Sequence, residues 1–172
     1  LQRKLRPDIP RLLQQLKQAG LTISLDTNDD PDDRWSEDIL EALKFVDVFF
    51  PNERELKKIA RTDDFEEAIG RIARMVPVLV VKRGAAGAIA QRGEERFTAG
   101  PLPVTPVDPV GAGDSFDAGF LSEHLRGADL PACLAAGNLA GAFSTTRPGG
   151  TEAFRDRSYL ERFWREHTKT AT

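Results

Sequence analysis

Apolar residues in this chain follow two alternating rhythms. Leu12, Leu13 and Leu16 stand at helical spacing on a polar background between Arg11 and Ala19, and Gly20 stops the run. A short apolar stretch from Leu21 to Leu25 then ends at Asp26. The same alternation predicts a helix over 35–44, a strand over 46–50, helices over 53–60 and 65–75, and a strand over 78–81. Val78-Leu79-Val80-Val81 has the continuous apolar character of a strand buried on both faces. Ala88 to Ala90 and Glu95 to Thr98 predict a hairpin around Arg92-Gly93. Helices follow over 114–126, stopping at Gly127, then over 132–145 and 159–167. The second of these is rich in small residues and is expected to be buried.

Strands alternating with helices predict an α/β fold with a parallel sheet covered on both faces, whose ligands bind beyond the carboxyl ends of the strands. No internal repeat, low-complexity tract or long linker interrupts the pattern. Pro101 to Pro109 reads as a rigid connection. A length of 172 residues fits one domain, so residues 1–172 are taken as a single α/β unit. With 24 basic against 27 acidic residues the net charge is −3, which gives no electrostatic ground for nucleic acid or anionic membrane as a partner. Cys133 is the only cysteine, so a reducing, cytoplasmic setting is expected. No apolar run approaches the roughly 18 residues of a membrane span. The chain starts at Leu1, its only methionine is Met75, and its opening helix reads as the middle of something longer, so a piece of a larger protein is expected.

The segment Asp108-Pro-Val-Gly-Ala-Gly-Asp114-Ser-Phe is the most informative. Glycines flank Ala112 where the helical pattern begins. Glycine permits positive φ and close backbone approach, and successive N–H groups at a helix start make an anion site. A carboxylate at Asp114, in the first turn, can accept a proton from a hydroxyl while nearby amides stabilise charge on a transferred phosphoryl group. A plain loop with turn glycines and a first-turn acid accounts for the residues as well. Two other phosphate-binding patterns are excluded: no Gly-x4-Gly-Lys-[Ser/Thr] loop occurs, and Phe116 stands where a dinucleotide fingerprint needs its third glycine.

With Ser115-Phe116-Asp117-Ala118-Gly119-Phe120 included, this segment closely resembles the second signature of the ribokinase/PfkB family of carbohydrate kinases. The resemblance implies a three-layer αβα, ribokinase-like (Rossmann-like), mostly parallel sheet, truncated at its N-terminal side. It implies the C-terminal nucleotide-binding and catalytic part of a longer kinase, without the lid and most of the sugar site. The implied reaction is ATP-dependent phosphorylation of a sugar hydroxyl with magnesium. Asp114 would be the base, and Gly111, Ala112 and Gly113 the anion hole. The family often has Thr where this chain has Pro109 and Val110. Carbonyls around Asp108 and Val110 would serve a monovalent cation such as potassium.

Further segments match in the family's order. Pro51-Asn52-Glu53-Arg54-Glu55 resembles its Asn-x-x-Glu motif, which implies that Asn52 and Glu55 position magnesium, directly or through water, and phosphate. Asn52 three residues before Glu55 is also a capping-box pattern, and the two readings are compatible. Val80-Val81-Lys82-Arg83-Gly84-Ala85-Ala86-Gly87 resembles the strand and glycine turn beside the ATP phosphates and base. Lys82 would meet a phosphate there, although a solvated charge at a strand end accounts for it better on sequence alone. Gly84 and Gly87 read as turn residues that let nucleotide approach. Ala136 to Ala142 resembles the helix near the adenine, followed by the turn Arg147-Pro148-Gly149-Gly150. Asn138 is a candidate contact to the base, or is bonded internally. Leu25-Asp26-Thr27-Asn28 resembles an Asp-x-Asn strand end near the active site, for which a capped turn is the simpler account.

His124 and His167 have no second histidine or cysteine at ligand spacing, so zinc is not expected. Cys133 reads as a buried small hydrophobe, Phe163 and Trp164 as core, and the acidic run 29–33 as a solvated loop. Two other functions stay open. One is a ribokinase-fold kinase acting on a nucleoside or vitamin precursor. The other is a non-catalytic nucleotide-binding module. A truncated sheet would leave an exposed edge, so self-association, a homodimer included, is expected.

Overall fold

The computed structural model describes residues 6–28, 35 and 38–168. The acidic run 29–33 and Arg34 lie outside the described residues. The chain divides into two compact units, Leu1–Arg83 with Ala90–Arg96, and Gly84–Ile89 with Phe97–Thr172.

The first unit alternates helices and strands: α1 (Ile9–Gln18), β1 (Ser24–Asp26), α2 (Asp38–Leu43), β2 (Val48–Phe50), α3 (Glu53–Ala60), α4 (Phe65–Ile72) and β3 (Val78–Lys82). β1 pairs parallel with β2, with Asp26 opposite Phe50, and β2 pairs parallel with β3, with Phe49 opposite Leu79. The ladder between β2 and β3 is extended past the end of β2, where Lys82 N donates to Pro51 O at 3.0 Å and Asn52 bridges Lys82. β4 (Ala88–Arg92) and β5 (Glu95–Ala99) complete a five-stranded sheet in the order β1-β2-β3-β4-β5. The connections 83–87 and 93–94 are too short for a crossover, so these last neighbours run antiparallel and the sheet is mixed.

β2 is buried at every residue and β3 at its first four, as their unbroken apolar runs require. Leu43, Phe49, Phe50, Leu56, Ile69, Ile72, Leu79 and Val80 form the innermost layer of this unit. Each such side chain contributes roughly 1.5–3 kcal/mol by leaving water. Against expectation, Trp35, read as the start of a helix over 35–44, takes a positive φ of 39° that a helix cannot use, and the described helix there is α2. The strand read over 21–25 is β1 at 24–26, and only Ile23 of the preceding run is buried.

The second unit is built on α5 (Ala112–Leu125), α6 (Leu130–Ser144) and α7 (Arg157–Thr168). Small residues let α5 and α6 approach closely. A Cβ on Gly119 would lie 2.5 Å from the Ala136 carbonyl oxygen, and one on Gly137 would lie 2.8 Å from the Phe116 ring. α6 is capped by Asp129, whose carboxylate accepts from Ala132 N at 2.9 Å. At its far end Phe143 is ringed by Phe154, Tyr159, Phe163 and Trp164, with centroids 4.9–5.2 Å away, which docks α7. Cys133 and Phe163 are buried as expected.

Candidate active site

In the first unit, candidate residues gather at the carboxyl ends of β1, β2 and β3. Chain leaving β2 turns straight into α3, with Asn52 as the N-cap. Asn52 Oδ1 accepts from Glu55 N at 2.9 Å, and Glu55 Oε2 accepts from Asn52 N at 3.0 Å. The capping box is therefore formed in full. Thr27 Oγ1, one residue past β1, donates to the same Oε2 at 2.9 Å. Two donors fix one carboxylate oxygen of Glu55, while Oε1 accepts no hydrogen bond among the described residues. Burial pushes the Glu55 carboxyl up; the Asn52 N–H and the Thr27 hydroxyl pull it back only in part. A buried carboxylate with one oxygen locked and one open is a suitable donor for a hard cation. The Asn52 oxygen is engaged as a cap, so its role toward a metal is to hold Glu55.

Lys82 departs from the solvated charge favoured on sequence. Its side chain is only 14% exposed, and Nζ lies 2.8 Å from Asp26 Oδ2. The parallel ladder brings the ends of β1 and β3 to either side of β2, which a sequence reading of Lys82 alone has no way to see. Asp26 is thus an ion-pair partner rather than a capped turn, and Asn28 is exposed. Outside this group, Glu53 bonds Lys57 and Arg83, which hold its carboxyl below the usual range.

In the second unit, Gly111 takes φ 75° and forms the N-cap of α5. That conformation is natural for glycine alone. A side chain there would also meet Gly150 Cα at 2.9 Å. Ala112 N donates to Pro109 O at 3.2 Å and Ser115 N to Gly111 O at 2.9 Å. Gly111, Gly113 and Asp114 N–H groups make no bond to the described residues. Of the three amides expected to form an anion hole, Ala112 is therefore engaged, while Gly111 and Gly113 remain available, with the Asp114 amide beside them. Asp114 is exposed in the first turn, and its carboxylate has no hydrogen-bond or ion-pair partner among the described residues.

Asp108 braces this loop. Its Oδ1 accepts from Val110 N at 3.0 Å and its Oδ2 from Gly149 N at 2.8 Å. These bonds, the Gly149 one first, hold its carboxyl below the usual range. The two turn glycines expected to admit nucleotide differ. Gly84 has φ 54° and open space where a Cβ would stand, whereas a Cβ on Gly87 would lie 2.0 Å from Ala99 O. Gly87 is thus required by the protein's own backbone. Asn138 Nδ2 donates to Gly100 O at 2.7 Å and Ala99 O at 3.4 Å, which is the internal alternative. Among the described residues no cluster of three His, Cys, Asp or Glu could hold a metal.

A profile of pfkB family carbohydrate kinases matches residues 1–157. The chain belongs to this family. It is 32% identical over 155 residues to an ATP-dependent ribose-1-phosphate kinase of Halopiger xanaduensis, covering 86% of this chain and 48% of that protein. A cytidine kinase of Thermococcus kodakarensis is 35% identical over 136 residues, 74% of this chain and 47% of that one. The crystal structure of a Vibrio cholerae fructokinase in fructose-, ADP- and calcium-bound form superposes with a TM-score of 0.74 at 29% identity, over 89% of this chain and 54% of that one. The fold is ribokinase-like. PfkB relatives of this chain include sugar and nucleoside kinases, and the chain spans about half the length of those it matches. No helix among the described residues is long and apolar enough to cross a membrane.

Proposed function

We propose that this chain is the nucleotide-binding and catalytic part of a kinase that transfers the γ-phosphoryl group of ATP to a sugar hydroxyl. The observation that carries the reading is the start of α5. There an exposed, unpartnered Asp114 carboxylate sits beside the Gly111 and Gly113 N–H groups, immediately after a left-handed glycine. The carboxylate takes the hydroxyl proton, and the amides stabilise negative charge on the group in transfer. Glu55 supplies an open carboxylate oxygen for magnesium, with Asn52 holding it, and Lys82 supplies a point charge for phosphate. Bound magnesium neutralises charge on the phosphates. Carbonyls of Asp108 and Val110 are oxygen donors of the kind a potassium ion takes. The 35% identity to a cytidine kinase supports a nucleoside as the second candidate acceptor.

The test is Asp114→Asn in the longer kinase of which this chain is proposed to be a part, assayed by ADP release against a panel of sugars and nucleosides. Turnover is expected to fall roughly 10²–10⁴-fold, with ATP affinity retained. Turnover unchanged by the substitution would reject Asp114 as the base. ATP binding without turnover on any acceptor would favour a binding module. Taken alone, the 172-residue chain is expected to bind nucleotide weakly and to release little ADP in response to sugar.

A further inference from the structure

We propose that Thr27 is a positioning residue for the cation site, aiming Glu55 from the neighbouring strand. The inference rests on Glu55 serving a cation, as proposed above. Thr27 follows β1 directly, and the parallel register sets the end of β1 beside the end of β2, from which Asn52 and Glu55 emerge. Its hydroxyl donates to Glu55 Oε2 at 2.9 Å, the same oxygen that receives Asn52 N at 3.0 Å. One donor alone leaves a carboxylate free to swing about its last torsion. Two donors converging on one oxygen fix the plane of the group and so fix where Oε1 points. Asn52 belongs to the helix that carries Glu55 and can set only its local cap. Thr27 comes from 28 residues earlier, so it ties the carboxylate to the sheet.

Its neighbour repeats the arrangement. Asp26 holds Lys82 Nζ at 2.8 Å, so consecutive residues at the end of β1 each fix one charged group, Asp26 one at the end of β3 and Thr27 one in the first turn of α3. Outer-shell donors of this kind set the direction of a metal ligand, and their loss typically lowers metal affinity about 10–100-fold.

The experiment compares the wild-type 172-residue chain with Thr27→Val, Thr27→Ser, Glu55→Gln and the Thr27→Val/Glu55→Gln pair. Mn²⁺ is titrated in the presence of ATP and bound Mn²⁺ is followed by water-proton relaxation, with circular dichroism as the folding control. Thr27→Val keeps the side-chain shape and removes the hydroxyl. It should raise the Mn²⁺ midpoint about 10-fold. Thr27→Ser should restore it, and Thr27→Val should add nothing once Glu55 is Gln. A purely structural threonine would instead affect both backgrounds alike. If Glu55→Gln weakens Mn²⁺ uptake and Thr27→Val does not, the positioning role is overturned while the cation site stands. If Glu55→Gln changes nothing, or the wild type takes up no Mn²⁺ even at ATP concentrations high enough to offset its weak nucleotide binding, the cation reading falls and this inference with it. Should Thr27→Val fail to fold, Thr27→Ala carries the same comparison.

Discussion

The Asp108 carboxylate accepts the backbone N–H of Gly149 at 2.8 Å, across 41 residues of sequence, while its other oxygen accepts Val110 N. One side chain thereby ties the turn after α6 to the loop that begins α5. Asp108→Ala should release both amides. Hydrogen exchange at Val110 and Gly149 is expected to accelerate, with Asp108→Asn, which keeps one acceptor, giving a smaller effect. Exchange unchanged in the alanine variant would show that glycine packing alone holds the loop.

Two glycines inside helices make opposite predictions. Gly119 faces backbone: its Cβ would meet Ala136 O at 2.5 Å and Ala140 Cβ at 2.8 Å. Gly119→Ala should cost about 1–3 kcal/mol through overpacking of α5 against α6. Gly70, in α4, has nothing within 4 Å of its Cβ position. Gly70→Ala should stabilise by about 0.5–1 kcal/mol through helix propensity. Urea unfolding of the two variants checks both signs.

Acid should loosen α7. Asp156 accepts from Tyr159 N, Ser158 Oγ and Arg147, which bring its carboxyl from 3.8 down to about 2. A depressed carboxyl favours the folded state above its ordinary value and loses that effect as pH falls toward its folded value. Thermal midpoints of the wild type and Asp156→Asn should therefore differ most above pH 3.8 and converge toward about pH 2. A constant difference over that range would mean that Asp156 acts through its shape rather than its charge.

Much of the first unit was legible because burial and chain position coincide there. Val78 to Val81 has to lie inside a sheet wherever that sheet goes, and α3 occupies the predicted span 53–60 because Asn52 and Glu55 carry their capping chemistry within four residues. Lys82 is no solvated charge, and the reason is the opposite one: Asp26 is a distant residue whose approach depends on strand order. Thr27 gives no signal in the sequence at all, since a hydroxyl after a strand has many uses and only the register with β2 selects one. The hairpin turns at Gly93-Glu94, one residue later than the predicted Arg92-Gly93, with Gly93 at φ 56°.

Local chemistry, then, was determined by the amino-acid sequence: which stretches are helices and strands, that Gly111 opens α5 with Asp114 in its first turn, and that the chain has the family's motifs in order. Those properties depend on residues within a few positions of one another, where spacing and side-chain type are sufficient. Tertiary structure alone decided which groups are engaged and which remain open. It sets Asp26 on Lys82, Thr27 on Glu55, Asp108 on Gly149 and Asn138 on Gly100, because a hydrogen bond or ion pair forms only where folding brings donor and acceptor within about 3 Å.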